Sequence, residues 1–357
     1  MAEQIQNASS IDETLALMRN RLANVVPDFE LTYKAELAFK INKLKRELNA
    51  VILAHNYMEP ALYHSVSDYR GDSLELARVS AKTDADIIIF CGVRFMAETA
   101  KILNPSRQVL LPAEKAGCSL AASITADDVR ALKARYPGVP VVSYVNTYAD
   151  VKAETDICCT SSNAAKVVQY LNSKGHERVI FLPDEYLARN VAAETKTHII
   201  FPGLPGLSFM NQAGNFEKVL IGWRGRCEVH EKFTVEDIEN VRKQFPDTVV
   251  LSHPECSPEV VAASDFSGST KAMIDYVKNV AAPRYLLLTE CAMGDNIAAE
   301  NPEREMLRLC SIRCPHMNLI TLEDTLASLE QRRYEITLPD EIINRARASL
   351  DRMLEIG

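Results

Sequence analysis

Val51-Ile52-Leu53-Ala54-His55-Asn56-Tyr57 is an apolar run that ends in polar residues, and the chain repeats this arrangement twice more. The later copies are Val141-Val142-Ser143-Tyr144-Val145-Asn146 and Val249-Val250-Leu251-Ser252-His253-Pro254-Glu255. Each copy is followed by a hydroxyl-rich stretch, in turn Gly71-Asp72-Ser73, Thr160-Ser161-Ser162 and Gly268-Ser269-Thr270. A second apolar run and then a solitary cysteine complete each unit, the cysteines being Cys118, Cys227 and Cys314. Continuously apolar strands alternating with helical patterns predict parallel sheets covered by helices on both faces.

The threefold repeat predicts the domain organisation. A chain of 357 residues is long enough for two or three domains, and the repeat favours three. We predict an α/β fold of three αβα repeats, at residues 49–135, 136–245 and 246–335. Helical leucine spacing predicts an N-terminal helical segment over 1–48 that packs on a repeat, and an amphipathic C-terminal helix within 336–357. The Gly- and Pro-rich stretch 196–216 is predicted to be a loop insertion in the second repeat.

Composition and charge exclude several classes of partner. Hydrophobic residues make up 47% of the chain and charged residues 25%, which are ordinary globular values. The net charge of -8 argues against nucleic acid or an anionic membrane surface as the main partner. The first residues lack the basic and apolar regions of a signal peptide, and the apolar runs have strand length. We therefore expect no membrane association and a cytoplasmic location.

The cysteines point to a metal centre. Nine cysteines scattered through a long chain do not suggest a disulfide framework, so metal binding or buried thiols are favoured. One thiolate from each of three related units suits an iron-sulfur cluster that leaves one iron open as a Lewis acid. Structural zinc is the competing metal, although its usual paired Cys-x2-Cys spacing does not occur. The remaining cysteines beside apolar strands are interpreted as core or cleft-lining thiols: Cys91, Cys158, Cys159, Cys256 and Cys291.

The polar strand ends predict a small-molecule site. Ligands of open parallel sheets bind at the carboxyl ends of the strands, where these side chains fall. His55 and His253 hold equivalent places in repeats one and three, with Tyr57 and Glu255 beside them. The remaining histidines considered, His64, His176, His198 and His316, are interpreted as solvated or supporting residues. The hydroxyl clusters would cap helices, and helix N-termini also attract carboxylate or phosphate groups.

Nine short strings together resemble the quinolinate synthase family, the iron-sulfur enzymes of NAD biosynthesis. They are Ala54-His55-Asn56-Tyr57, Gly71-Asp72-Ser73-Leu74, Phe95-Met96-Ala97-Glu98-Thr99-Ala100-Lys101, Tyr144-Val145-Asn146-Thr147, Thr160-Ser161-Ser162-Asn163-Ala164, Cys227-Glu228-Val229-His230, His253-Pro254-Glu255, Gly268-Ser269-Thr270 and Cys314-Pro315-His316-Met317. The resemblance covers nearly the whole chain between residues 30 and 335. Each string alone is weak evidence for the family, whereas the nine strings together are specific to it.

The resemblance implies a fold, a cofactor and a reaction. The fold would be three pseudo-threefold αβα domains with a 4Fe-4S cluster on the axis, at the domain interface. Three cysteine ligands would hold the cluster and leave one iron open: Cys118, Cys227 and Cys314. The reaction would condense iminoaspartate with dihydroxyacetone phosphate, releasing phosphate and two waters to give quinolinate. A transient contact with L-aspartate oxidase would accompany this activity.

The resemblance also assigns residues. Tyr57, Glu255, His55 and His253 would be catalytic, the first two moving protons and the histidines orienting substrate oxygens. The substrate-binding residues would be His55, Ser73, Met96, Tyr144, Asn146, Ser161, His253, Glu255 and Thr270. Two departures are visible: Cys310 is separated from Cys314 by three residues, unlike the Cys-x2-Cys-x2-Cys of some members, and the 196–216 insertion lengthens repeat two. A non-enzymatic iron-sulfur sensor and an iron-sulfur hydro-lyase acting on another hydroxy acid remain the alternatives.

Overall fold

The computed structural model describes residues 2–202, 218–309 and 312–357. The chain begins with three helices, α1 (Ala2–Gln6), α2 (Ile11–Leu22) and α3 (Asp28–Glu47). The Ser10 side chain caps α2 by accepting a hydrogen bond from the backbone N–H of Glu13 at 3.2 Å. Met18, Leu22 and Ile41 are buried, as the helical spacing of the apolar residues predicts.

The first parallel sheet follows these helices. Its strands are β1 (Ala50–His55), β2 (Tyr69–Gly71), β3 (Ile87–Cys91) and β4 (Gln108–Leu110), in the order β2-β1-β3-β4. The connecting helices are α4 (Pro60–Ser65), α5 (Ser73–Ser80) and α6 (Arg94–Leu103). Every residue of β3 is buried, because helices cover both faces of the sheet. Helix α3 packs against β1 and α4, so the N-terminal helices cover this sheet.

The third sheet repeats the strand order of the first, and the second repeats it with one further strand, β8, at its edge. The second contains β5 (Val141–Tyr144), β6 (Ile157–Cys159), β7 (Arg178–Leu182), β8 (His198–Ile200) and β9 (Val219–Gly222), in the order β6-β5-β7-β9-β8. The third contains β10 (Thr248–Ser252), β11 (Phe266–Ser267), β12 (Arg284–Leu288) and β13 (Glu305–Arg308), in the order β11-β10-β12-β13. All pairings are parallel, which confirms the predicted α/β architecture of three short parallel sheets flanked by helices.

The predicted loop 196–216 differs in part from the structure. His198–Ile200 forms β8, an edge strand that pairs in parallel with β9, because the Ile-rich run suits an extended conformation. Residues 203–216 of the predicted loop lie outside the described residues, as do Cys310 and Ser311.

The remaining helices flank the second and third sheets and close the chain. They are α7 (Ala126–Arg135), α8 (Ala149–Ala153), α9 (Ala164–Ser173), α10 (Glu185–Thr195), α11 (Val235–Gln244), α12 (Pro258–Ala263), α13 (Thr270–Asn279), α14 (Cys291–Glu300), α15 (Leu322–Gln331) and α16 (Asp340–Ile356). Helix α16 packs against α8, β6 and α6, and therefore joins the first two repeats. Within the described ranges, no helix combines the length and apolar character needed to cross a bilayer.

The helix after each cysteine packs on the sheet of the next repeat. Val129 and Leu132 of α7 share an apolar cluster with Val141 of the second sheet. Ile238 of α11 packs with Val250 of the third sheet. Helix α15 contacts β3 and α3, which returns the chain to the first sheet. We therefore propose that each repeat contributes one helix to the sheet of the next repeat, and that the third repeat returns its helix to the first sheet. The boundaries predicted at 135, 245 and 335 then separate α7, α11 and α15 from the sheets that they cover.

Candidate functional site

One cavity at the carboxyl ends of the sheets brings the predicted residues together. It contains about 740 Å³ of space between protein atoms, part of which is open to solvent. Its lining includes every residue predicted for catalysis, substrate binding or metal ligation: His55, Tyr57, Ser73, Met96, Cys118, Tyr144, Asn146, Ser161, Cys227, His253, Glu255, Thr270 and Cys314. His55 and Tyr144 end the central strands β1 and β5, and His253 follows β10. The polar residues at the ends of these equivalent strands therefore line the same cavity.

The three cysteine loops, residues 115–120, 224–229 and 312–317, meet at one side of this cavity. The Glu228 backbone N–H donates to the Ser119 hydroxyl at 3.4 Å, and the Glu228 carboxylate lies 3.1 Å from His316 Nε2. Gly117 lies beside His316, where an added Cβ would come within 3.8 Å of the imidazole. Each loop therefore contacts the other two.

The three thiols have the same local environment. Burial raises the pKa of Cys118 to about 12, that of Cys314 to about 11 and that of Cys227 further still. Two backbone N–H groups oppose this effect at each sulfur: Leu120 and Ala121 at Cys118, Val229 and His230 at Cys227, and His316 and Met317 at Cys314. Backbone N–H donors stabilise a thiolate, and hydrogen bonds to sulfur are typical of iron-sulfur ligation. The donor set therefore fits a cluster held by three cysteines.

His55 and His253 have matching geometry in repeats one and three. The Nδ1 atom of His55 accepts the Tyr57 backbone N–H at 3.2 Å, and that of His253 accepts the Glu255 backbone N–H at 3.3 Å. Burial lowers the pKa of His55 to about 4 and that of His253 to about 3. Both imidazoles are therefore neutral at pH 7 and carry their hydrogen on Nε2. Each can donate to a ligand oxygen without bringing a charge.

The Glu255 carboxylate is the most heavily bonded group of the cavity. Its Oε1 atom accepts the Tyr144 hydroxyl at 2.6 Å and the Asn146 amide at 3.4 Å. Its Oε2 atom lies 2.7 Å from His230 Nδ1. Burial raises the pKa of Glu255, but His230, His253 and these hydrogen bonds outweigh it and bring the pKa well below the ordinary value. Glu255 is therefore ionised, and it can accept a proton only when its contact with one of these partners is altered.

The hydroxyl clusters cap helices differently from one repeat to another. Ser269 caps α13, as predicted, and Thr270 accepts the Asn56 side-chain amide at 2.9 Å. Asp72 caps α5 instead of Ser73, which becomes the first helical residue. The N-cap of α9 is Asn163, which makes no side-chain capping bond, and Ser161 lies before it. The N-terminus of α9 is therefore free of a side-chain cap beside the cavity.

The sequence did not predict four residues that lie in the cavity lining or close to it. His230 lies 3.2 Å from the Cys227 sulfur through Nδ1, and the Cys227-x-x-His230 spacing was a visible signal. The donor atoms of Cys227, His230 and Glu255 lie within 4.8 Å of one another, as the ligands of a metal ion would. Thr289 follows β12, and Glu290, whose pKa burial raises to about 7, lines the cavity. Asp184 occupies the place of Glu290 in repeat two and is fully buried.

The other sequence assignments have mixed outcomes. The cysteines interpreted as core thiols are buried, which agrees with that assignment: Cys91, Cys158, Cys159, Cys256 and Cys291. His64, on α4, is buried rather than solvated, and its Nδ1 atom lies 3.5 Å from Arg21 Nε and 3.4 Å from an Arg70 guanidinium nitrogen. His316 lines the cavity and pairs with Glu228.

Three short parallel sheets flanked by helices, with the predicted site residues around one shared cavity, define an α/β protein of three related units. A family model described as Quinolinate synthetase A protein matches residues 39–355. Quinolinate synthase 2 of Mesorhizobium japonicum is 51% identical over 348 residues, covering 98% of this chain and all of that protein. The quinolinate synthases of Agrobacterium fabrum and Caulobacter vibrioides are 49% and 47% identical, covering 98% and 97% of this chain and 94% and 89% of theirs. The chain belongs to the quinolinate synthase A family.

Proposed function

We propose that this protein is a quinolinate synthase of NAD biosynthesis, which condenses iminoaspartate with dihydroxyacetone phosphate and releases phosphate and two waters. The observation that carries the proposal is the convergence of three equivalent cysteines on the cavity that also holds the predicted substrate residues. Family membership supports the same activity. The cytoplasmic location and the transient contact with L-aspartate oxidase stay predictions.

Cys118, Cys227 and Cys314 would hold a 4Fe-4S cluster. When bound, this group supplies an open iron that acts as a Lewis acid towards a substrate hydroxyl or carboxylate. The chain supports ligation through the paired backbone N–H groups at each sulfur, which favour the thiolate form that iron requires.

The chain's own side chains would bind the substrates and move protons. The neutral His55 and His253 would donate Nε2–H to carboxylate or carbonyl oxygens of a substrate. Glu255 would accept a proton as the imine and enol steps proceed, and the Tyr57 phenol would return one. Anionic ends of the substrates would meet the hydroxyls of Ser73, Ser161 and Thr270, with Met96 as an apolar contact.

Anaerobic turnover tests the proposal. The purified protein is supplied with iminoaspartate and dihydroxyacetone phosphate, and quinolinate is measured together with iron content and visible absorbance. Cys118→Ser, Cys227→Ser and Cys314→Ser should each lose both absorbance and product. Cys91→Ser is the matched control, because the Cys91 thiol lies 3.7 Å from the Thr325 hydroxyl, which a serine can also contact, and it should keep both.

Two results would contradict the proposal. A parent protein that carries the cluster and makes no quinolinate would favour a hydro-lyase acting on another hydroxy acid, or a non-enzymatic sensor. A parent that binds zinc in place of iron, and is active with it, would contradict the cluster assignment.

A further inference from the structure

Thr289 occupies the gap between Tyr57 and His230. Its Oγ1 atom lies 2.5 Å from the Tyr57 hydroxyl and 3.0 Å from His230 Nε2. The direct distance between the Tyr57 hydroxyl and His230 Nε2 is 3.5 Å, at the outer limit for a hydrogen bond. Thr289 is buried and comes from the end of β12, whereas Tyr57 follows β1 and His230 follows the second cysteine. One threonine hydroxyl therefore connects all three repeats.

His230 connects Thr289 to the Glu255 carboxylate. Its Nδ1 atom faces the Glu255 carboxylate at 2.7 Å and the Cys227 sulfur at 3.2 Å. A hydroxyl can donate one hydrogen bond and accept others, so Thr289 Oγ1 can serve the Tyr57 hydroxyl and His230 Nε2 at once. The series Tyr57–Thr289–His230–Glu255 is therefore continuous.

The short contact with Thr289 fixes the position of the Tyr57 hydroxyl in the cavity lining. The far end of the series is fixed as well, because Glu255 Oε1 accepts the Tyr144 hydroxyl at 2.6 Å. The two groups to which we assign proton transfer are thus held at opposite ends of one hydrogen-bonded series.

We propose that Thr289 is a positioning residue for Tyr57, which acts by joining the phenol to the His230–Glu255 pair. The inference rests on the proposed function, because Tyr57 is given its role there. Thr289 is not among the residues that line the cavity, so its effect must reach the reaction through the two side chains that it contacts, Tyr57 and His230. Removing the Thr289 hydroxyl leaves the buried Tyr57 hydroxyl and His230 Nε2 without the partner that joins them.

Two near-isosteric variants separate positioning from packing. Thr289→Val keeps the shape and burial of the side chain and removes the hydroxyl, whereas Thr289→Ser keeps the hydroxyl and removes a methyl group. In the cluster-loaded full chain, Thr289→Val should lower kcat about ten- to a hundredfold, with KM for both substrates and the cluster absorbance unchanged. Thr289→Ser should stay within about threefold of the parent. A residue needed only for packing would show the opposite order.

Crystal structures of both variants give a readout that does not depend on turnover. The Tyr57 ring should leave its position in Thr289→Val and keep it in Thr289→Ser. If the parent makes quinolinate and Thr289→Val matches it in kcat, the inference is overturned while the proposed function stands. If the parent makes none, the proposed function fails, and an unmoved Tyr57 in Thr289→Val would overturn the inference as well.

Discussion

Lys152 shows how a single buried charge shapes the cavity. Its ammonium donates to the backbone carbonyl of Val145 at 2.9 Å and also to that of Thr147. These two residues flank Asn146, whose amide contacts Glu255. Burial lowers the pKa of Lys152, and the carbonyls replace part of the lost hydration. A lysine outside the cavity lining therefore fixes the loop that carries Asn146.

His64 should make stability depend on pH. Burial, with Arg21 and Arg70 nearby, lowers its pKa to about 3 from an ordinary 6.5. Between these values the unfolded chain binds a proton that the folded chain does not, so its contribution is present above pH 6.5 and is lost as the pH falls. From pH 8 to pH 5, the parent should lose about 2 kcal/mol more unfolding free energy than His64→Gln.

Urea denaturation at the two pH values checks this prediction. Glutamine can accept a hydrogen bond from Arg21, as His64 Nδ1 does at 3.5 Å, so the variant should fold. His176→Gln, in an open groove near Tyr170 and away from Arg21, is the control and should keep the pH dependence of the parent. Equal pH dependence in the parent and His64→Gln would show that His64 is not the source.

At the level of elements, the chain repeats one module after each cysteine. A short 3-10 turn begins three residues after the cysteine, at Ala121, His230 and Met317. A ten-residue helix follows in each case, α7, α11 and α15. Its N-cap is a threonine that accepts from the backbone N–H of an aspartate, in the pairs Thr125 and Asp128, Thr234 and Asp237, and Thr321 and Asp324. The N-cap and the first residue of the turn supply the two N–H groups at the sulfur, and the threonine cap begins the helix that follows the turn.

Removal of these caps should lower stability by similar amounts in all three repeats. Thr125→Ala, Thr234→Ala and Thr321→Ala should each cost about 1 kcal/mol of unfolding free energy, because one helix N–H loses its acceptor. Thr32→Ala, at an exposed position inside α3, should change it by less than about 0.5 kcal/mol. Urea titrations of the four variants give the comparison. A much larger loss at only one cap would mean that the modules are not equivalent.

The sequence predicts the strands and their polar ends because buried parallel strands appear as apolar runs. It does not predict which sheet α7, α11 and α15 contact, since amphipathic periodicity identifies a buried helix face and not its partner. His230 was missed because it has no equivalent in the other repeats, and its partner Thr289 lies 59 residues away. Strand β8 was missed because the turn residues around it dominate the local pattern. Contacts between repeats, such as that of Thr289 with His230, leave little trace in the local sequence.

At the scale of the whole molecule, α16 ties the first repeat to the second. Arg347 donates to the Leu103 carbonyl at 2.9 Å, and Ser349 donates to the Lys152 carbonyl at 3.1 Å. Leu350 is fully buried between these contacts. Leu350→Ala should therefore cost about 2 to 5 kcal/mol of unfolding free energy through the cavity that it leaves.

The partly buried Leu354, one turn later, provides the matched control for Leu350. Leu354→Ala should cost clearly less in the same urea titration, because fewer of its contacts are removed from water. If the two variants lose stability equally, α16 does not hold the repeats together through its buried face.

The proposed cluster should hold the three repeats together, because each repeat would contribute one cysteine ligand. A group that binds the folded chain and not the unfolded chain stabilises it, so anaerobic removal of the cluster should lower Tm, and reconstitution should restore it. Once the cluster is gone, Cys118→Ser should melt within about 2 °C of the cluster-free parent, since the thiol then holds nothing. Differential scanning calorimetry of the two proteins, each with and without cluster, gives the four values. If cluster-free Cys118→Ser melts far below the cluster-free parent, the thiol stabilises the fold by itself and the three loops do not depend on the cluster to stay together.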